Sequence, residues 1–334
     1  MAKRQDNGHT QGPPAGGRSQ SAREPAIRAT LYTDPGCPWA YSANPALRVL
    51  EWRYGDQLSW QLVMIGLTER AEQYVERGFT PARLALSALH FRRYGMPFAL
   101  MPKARVCATA RACRAVVAAR LLHPGREPAV LRALQLAQFT SDLLLDENAQ
   151  LERVLGTLEG IDAAALVAQL DSPAVEAAYA DDRRRSRSAA GSAAELQEKT
   201  ATSDGPVRFT APTLHLAGAR GELLAGGFQP VEAYDVLIAN LDPGLRRRPP
   251  AAGALEALEA FPEGLCTQEI AAIMAAGNEP PDRPRAEAEL VGLVAEGLVS
   301  RQPLGDDALW RRSGEVQQRV RLAAGEPLAT AKRR

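Results

Sequence analysis

The sequence predicts an α/β protein in which a strand–helix–strand core is interrupted by a long all-helical stretch and followed by a second, smaller unit. Three observations carry this. A β-rich run, Ile27–Thr33, meets the turn Asp34-Pro35-Gly36 and then a helix opened by Cys37-Pro38. From about Thr68 to Thr200 apolar residues recur at helical spacing, as at Leu131, Leu134, Leu136 and Phe139. Beyond a Pro- and Arg-rich break a fresh pattern begins, with short helices and then a strand–turn–strand.

In chain order, residues 1–25 are polar and rich in Gly and Pro and are expected to form a disordered tail. Ile27–Thr33 is the first strand, Pro38–Arg53 the first helix and Leu58–Ile65 the second strand, a parallel crossover of the usual hand. The helical stretch is assigned to residues 68–200. Pro212–Leu216 and Gly221–Ala225 read as a hairpin, and Val231–Ala239 as a closing helix. The first unit therefore comprises 26–67 and 201–245, split by the insertion. Residues 246–252 form the linker. In 253–322, three short helices, a stop at Gly297 and a turn at Gly305-Asp306-Asp307 resemble a winged helix, and 323–334 is a polar tail.

Chemistry concentrates at Cys37. Proline suits the first helical position, where it has no N–H to lose. Cys37 is thereby set at the N-cap, where free amides and the positive end of the helix dipole favour a thiolate. A lowered thiol pKa is the expectation. Trp39 and Tyr41 are placed either to shape a rim or, as motif aromatics, to pack inside.

Strand, Asp-Pro-x-Cys-Pro-Trp and helix together resemble the DsbA family of thioredoxin-fold proteins, in particular the FrnE-like and 2-hydroxychromene-2-carboxylate isomerase-like branch. Pro45 lies where thioredoxin folds carry a helix-kinking proline. Phe209-Thr210-Ala211-Pro212-Thr213-Leu214 resembles the family's cis-proline strand, and Gly226-Gly227-Phe228-Gln229-Pro230 its Gly-rich turn. The likeness spans roughly residues 26–245. It implies a thioredoxin fold with a large all-helical insertion, Cys37 as the catalytic thiol, and Pro38, Trp39, Ala211, Pro212 and Thr213 as substrate-binding residues. One departure matters: the family's Cys-x-x-Cys reads Cys37-Pro38-Trp39-Ala40 here, so no internal disulfide can form within the motif.

The resemblance implies a thiol oxidoreductase whose single thiol forms mixed disulfides resolved by an external thiol. No tightly bound cofactor is expected; glutathione or mycothiol is the candidate low-molecular-weight thiol, and a small thiol or a protein disulfide the candidate partner. Two alternatives stand beside it: a thiol-cofactor-dependent isomerase or kappa-class-like glutathione transferase, and a catalytically silent module acting through the winged-helix-like unit.

Other features set bounds. Net charge of +1 gives no global attraction to nucleic acid. Residues 253–322 hold twelve Asp/Glu against seven Lys/Arg, so DNA binding is not expected of that unit and protein contact or homodimerisation is preferred. No run approaches the roughly 18 apolar residues of a membrane span, and the N-terminal residues have no apolar signal core; a cytoplasmic protein is expected. The cysteines at 37, 107, 113 and 266 have no metal-ligand spacing. Cys107 and Cys113, read as sharing one helix, would lie about 9 Å apart, beyond disulfide reach. Cys113 is assigned to the core and Cys266 to a structural role. A resolving role for Cys107 would require its segment to cap the site and is not favoured. His90 and His215 are read as ordinary surface residues, and the Arg183–Arg187 and Arg246–Arg248 runs as a solvated face and a linker.

Overall fold

The computed structural model describes residues 25–314 of the 334-residue chain. The predicted tails, apart from Pro25, and the end of the C-terminal unit lie outside these residues. The described chain begins with β1 (Ile27–Thr33), buried at every position except Arg28. The helix expected over 38–53 is two helices, α1 (Pro38–Ser42) and α2 (Asn44–Tyr54). Pro45 has no N–H to return to Tyr41, so the hydrogen-bond ladder breaks there. β2 (Leu58–Met64) follows.

The insertion runs α3 (Glu72–Glu76), α4 (Pro81–Phe91), α5 (Ala110–Leu122), α6 (Glu127–Thr140), α7 (Asn148–Leu155), α8 (Ala163–Ala168), α9 (Pro173–Ser186) and α10 (Ala193–Leu196). Its axis is α5. Alanines, Cys113 and valines bury most of its circumference, which lets α6, α8 and α9 approach from several sides. Cys107 is not on that helix, contrary to the sequence expectation. Thr109 Oγ1 donates to Asp34 (2.9 Å), and Ala108 N–H donates to Asp146 (3.1 Å). These tertiary bonds hold the segment before Ala110 in an irregular, bent path despite its helical composition.

After β3 (Thr200–Ala201) and β4 (Arg208–Phe209) come β5 (Thr213–Gly218), β6 (Gly221–Gly226) and α11 (Val231–Leu241). The main sheet has the order β2-β1-β5-β6. β1 and β2 run parallel with Leu31 opposite Leu62; β5 runs antiparallel to both β1 and β6, with Leu214 between Leu31 and Ala225. Ile27, Ala29 and Leu31 face one core with α2, α5 and α11, while Tyr32, Val63 and Ile65 face a second cluster beside Cys37.

The C-terminal residues form α12 (Ala254–Ala260), β7 (Leu265–Cys266), α13 (Thr267–Met274), α14 (Arg283–Ala295), β8 (Val299–Leu304) and β9 (Asp307–Arg312), with a small sheet of order β7-β9-β8. They are fastened to the rest of the chain. Arg132 of α6 and Glu269 of α13 make a buried bidentate pair at 2.7 and 2.8 Å. The linker is pinned as well: Arg248 N–H donates to Arg53 O (2.9 Å), Trp52 Nε1 donates to Pro249 O (2.7 Å), and the Arg248 guanidinium stacks on Trp52.

Candidate active site

β1 delivers its last residues to a tight turn. Asp34 is fully buried, and its Oδ1 accepts from Gly36 N–H (2.8 Å) while Oδ2 accepts from Leu67 N–H (2.8 Å), the Thr109 hydroxyl and the Cys113 thiol (3.4 Å). Cys37 N–H closes the turn on Asp34 O (3.1 Å), and Tyr41 N–H makes the first helical bond back to Cys37 O (3.0 Å). Glycine is required at 36: a Cβ there would sit 2.5 Å from the Thr109 methyl. The turn thus fixes Cys37 as the N-cap of α1, as its spacing from Pro38 predicts.

Across from it, β4 leads into Ala211-Pro212, whose peptide bond is cis. Cys37 Sγ donates to Ala211 O at 3.2 Å. The structure therefore brings together Cys37, Ala211 and Pro212, which are 174 residues apart in sequence for the bonded pair. Thr213 stands behind this contact. It is fully buried and its hydroxyl donates to Thr210 O (2.7 Å), so it shapes the turn without reaching solvent. Ala40, the position of the absent second thiol, is buried with Cys37, Tyr32, Phe209 and Ala211.

The expectation of an acidic thiol is corrected. Burial pushes the Cys37 pKa up to about 12, and the Asp34 carboxylate adds to the rise; the amides of Ala40 and Trp39 and the Arg208 guanidinium pull the other way without prevailing. Sulfur sits deeper than the helix terminus alone suggests, and the loss of hydration outweighs the dipole. Burial likewise raises Asp34, against the four donors that favour its charged form.

Beside the turn lies a cavity of about 400 Å³ bordered by Gly36, Pro38 and Trp39. Its walls are apolar: Phe79, Leu84, Phe91, Phe98 and Met101. One end is polar, with Lys103, Arg105, Cys107 and Gln138. Trp39 is 37% exposed and meets Phe91 edge-on (4.8 Å), with Tyr94 and Phe228 at 5.5 and 5.6 Å. Burial lowers Lys103 and raises the Cys107 thiol, with each group's charge opposing the other's shift.

Of His90 and His215, only His90 adjoins the site. His215 Nε2 pairs with Glu222 (3.0 Å) on the hairpin, and His90 lies 6.2 Å from Trp39 on α4. Cys113 is core, and Cys266 is buried at the N-cap of α13, where its sulfur and Glu269 form a capping box. Sequence reasoning missed Asp34 as a buried acid under the thiol, and Cys107 as a pocket residue. The Asp-Pro-Gly turn signalled the first; nothing in the helical pattern around Cys107 signalled the second. Among the described residues no three His, Cys, Asp or Glu side chains converge as a metal site would require, all four cysteines are free, and no helix is long and apolar enough to cross a membrane.

Strand order, helical insertion and a cysteine at a helix start facing a cis-proline define a thioredoxin-fold domain of the DsbA type. Residues 29–190 match the DSBA-like thioredoxin domain. Similar solved structures include the cytosolic disulfide reductase DsbM from Pseudomonas aeruginosa (22% identity, 65% of this chain and 100% of that one, TM-score 0.45). DsbA1 from Neisseria meningitidis, in its reduced form, is 11% identical over 69% of this chain and 88% of that one (TM-score 0.39). A 2-hydroxychromene-2-carboxylate isomerase is 18% identical over 64% and 95% (TM-score 0.43). No curated protein matches the sequence.

Proposed function

We propose that the protein is a thiol–disulfide exchange enzyme working through the single thiol of Cys37. The thiol gives up its proton and attacks one sulfur of a disulfide, forming a Cys37 mixed disulfide and releasing the other sulfur as a thiolate, which takes up a proton. An external thiol, glutathione or mycothiol, then attacks the substrate-side sulfur of the mixed disulfide, leaves joined to that half as a new disulfide and returns Cys37 as the thiol, so atoms and electrons balance without a second cysteine in the motif. The observation that carries this is Cys37 Sγ at 3.2 Å from Ala211 O, at a helix start beside an apolar cavity. Pro38, Trp39, Ala211 and Pro212 are the proposed substrate contacts. Incubating reduced protein with oxidised glutathione and weighing it intact should give one adduct, mapped to Cys37 and absent from Cys37→Ser. Labelling of another cysteine, or none, would overturn it.

The raised pKa favours a second reading, a thiol-cofactor-dependent isomerase or transferase. A thiol that stays protonated near neutrality is a hydrogen-bond donor, suited to steady a bound cofactor's thiolate. Cys37→Ser keeps a donor and loses exchange, so activity surviving that change selects this reading.

A cytoplasmic setting is proposed because four free thiols suit a reducing compartment. For the winged-helix-like unit, a packing role is proposed over DNA binding. Arg283 at the start of α14 is spent on Gly95 O (2.8 Å) and Asp307 (3.1 Å).

A further inference from the structure

The C-terminal hairpin reaches the cavity wall from behind. The 3₁₀ turn Arg92–Tyr94 and the segment through Ala99 run between the cavity and the C-terminal unit. On the cavity side, Phe98 lines the space, 5.5 Å from Phe139 and 5.3 Å from Tyr41. On the other side the turn between β8 and β9 sits on the Phe98 backbone. Phe98 N–H donates to Asp306 Oδ1 (2.8 Å), Asp306 N–H donates back to Phe98 O (3.1 Å), and Asp306 Oδ2 pairs with Arg92 (2.6 Å). Gly305, at φ +56°, is the point of contact: a Cβ there would lie 2.7 Å from Phe98 C. Further along, Arg283 donates to Gly95 O (2.8 Å), and a Cβ at Gly95 would strike the Gln268 side chain. Residues 96–99 lie in no helix or strand, so their shape depends on outside partners: Tyr41 Oη donates to Pro97 O (2.8 Å) and Ala99 N–H to Phe139 O (2.7 Å) from the cavity side, and Asp306 holds Phe98 from the other.

We propose that the Gly305-Asp306 turn is a positioning element for the cavity, holding the Phe98 wall closed and thereby setting which ligands fit beside Pro38 and Trp39. Asp306 acts through Phe98, not on a ligand. The proposal does not depend on the chemistry assigned to Cys37, because Cys107 lines the same cavity and reports its opening independently.

The test uses the full chain and N-ethylmaleimide at mildly alkaline pH, with labelling rates resolved by peptide mass spectrometry. Asp306→Ala should raise the Cys107 rate about three- to tenfold, the range that the lost bond to Phe98 N–H commands in a local opening, the pair with the exposed Arg92 adding little, with the Cys113 rate unchanged. Asp306→Asn keeps an acceptor for Phe98 N–H and should restore most of the wild-type rate. Gly305→Val should act as Asp306→Ala does; if it fails to fold, the Asp306 pair alone decides. An unchanged Cys107 rate in Asp306→Ala overturns the proposal. So does a parallel rise at Cys113, which would mean general destabilisation, or an Asp306→Asn protein indistinguishable from Asp306→Ala. Oxidised glutathione adduct formation at Cys37 is scored separately, so loss of that chemistry cannot be mistaken for loss of the wall.

Discussion

Cys37 Sγ donates a hydrogen bond to the carbonyl of Ala211, so at rest the thiol is a buried donor and not an exposed anion. With the pKa pushed to about 12, the thiolate fraction at pH 7 is about one part in 10⁵. The iodoacetamide rate at Cys37 should therefore keep climbing from pH 7 to beyond pH 10. A plateau below pH 9 would contradict the burial argument.

The same burial makes the fold sensitive to alkali. Cys37, Cys113 and Cys266 all have raised pKa values, from burial first and neighbouring carboxylates second. Unfolded thiols ionise near 9 while the folded ones resist. Their contribution is present below that range and is lost as pH rises through it. Melting temperature should fall from about pH 9 upward, and Cys113→Ala should make the decline shallower.

Asp34→Asn removes the charge that raises Cys37 and sets an amide group against the donors Leu67 N–H and Gly36 N–H. Stability should drop by about 1–3 kcal/mol for the amide left unpaired. The Cys37 alkylation profile should shift to lower pH. Chemical denaturation and the alkylation series measure the two effects separately, and an upward shift of the profile would be the wrong sign.

Ala40→Cys puts a second thiol three residues along α1. At helical rise and radius the two Cα atoms would lie about 5 Å apart, within disulfide reach. Reduction of insulin by dithiothreitol should be accelerated by this variant well above the parent. Equal rates would mean that the buried position 40 cannot close the bond.

Arg132 and Glu269 join α6 to α13 in a dry setting. Burial alone would raise the Glu269 carboxyl, but the Arg132 and Arg48 guanidiniums and the Cys266 amide hold it below the ordinary 4.5. Its contribution is present above that value and lost as pH falls through the lower folded one. Arg132→Ala should destabilise by about 3–5 kcal/mol, the usual penalty for a buried charge left alone, read as a shift in urea midpoint.

Much of the architecture was legible in sequence because it is written in short-range chemistry. Asp34-Pro35-Gly36 ends a strand, Pro38 starts a helix, and the Leu131–Phe139 spacing marks α6. What was not legible depends on partners far along the chain. The Cys107 segment looks helical until Asp34 and Asp146 claim its amide and hydroxyl groups. Cys37 looks acidic until Ala211 and Phe209 close over it. Thr213 looks like a ligand contact until Thr210 takes its hydroxyl.

Helix α2 serves two interiors at once: Leu47, Leu50 and Tyr54 enter the cluster beneath the main sheet, while Val49 and Trp52 enter the one built on α12, α13 and α14. A polypeptide ending near Asp242 would therefore present a greasy, indole-bearing stripe to water. Such a fragment is expected to clump in size-exclusion runs, whereas the intact chain should melt as one unit.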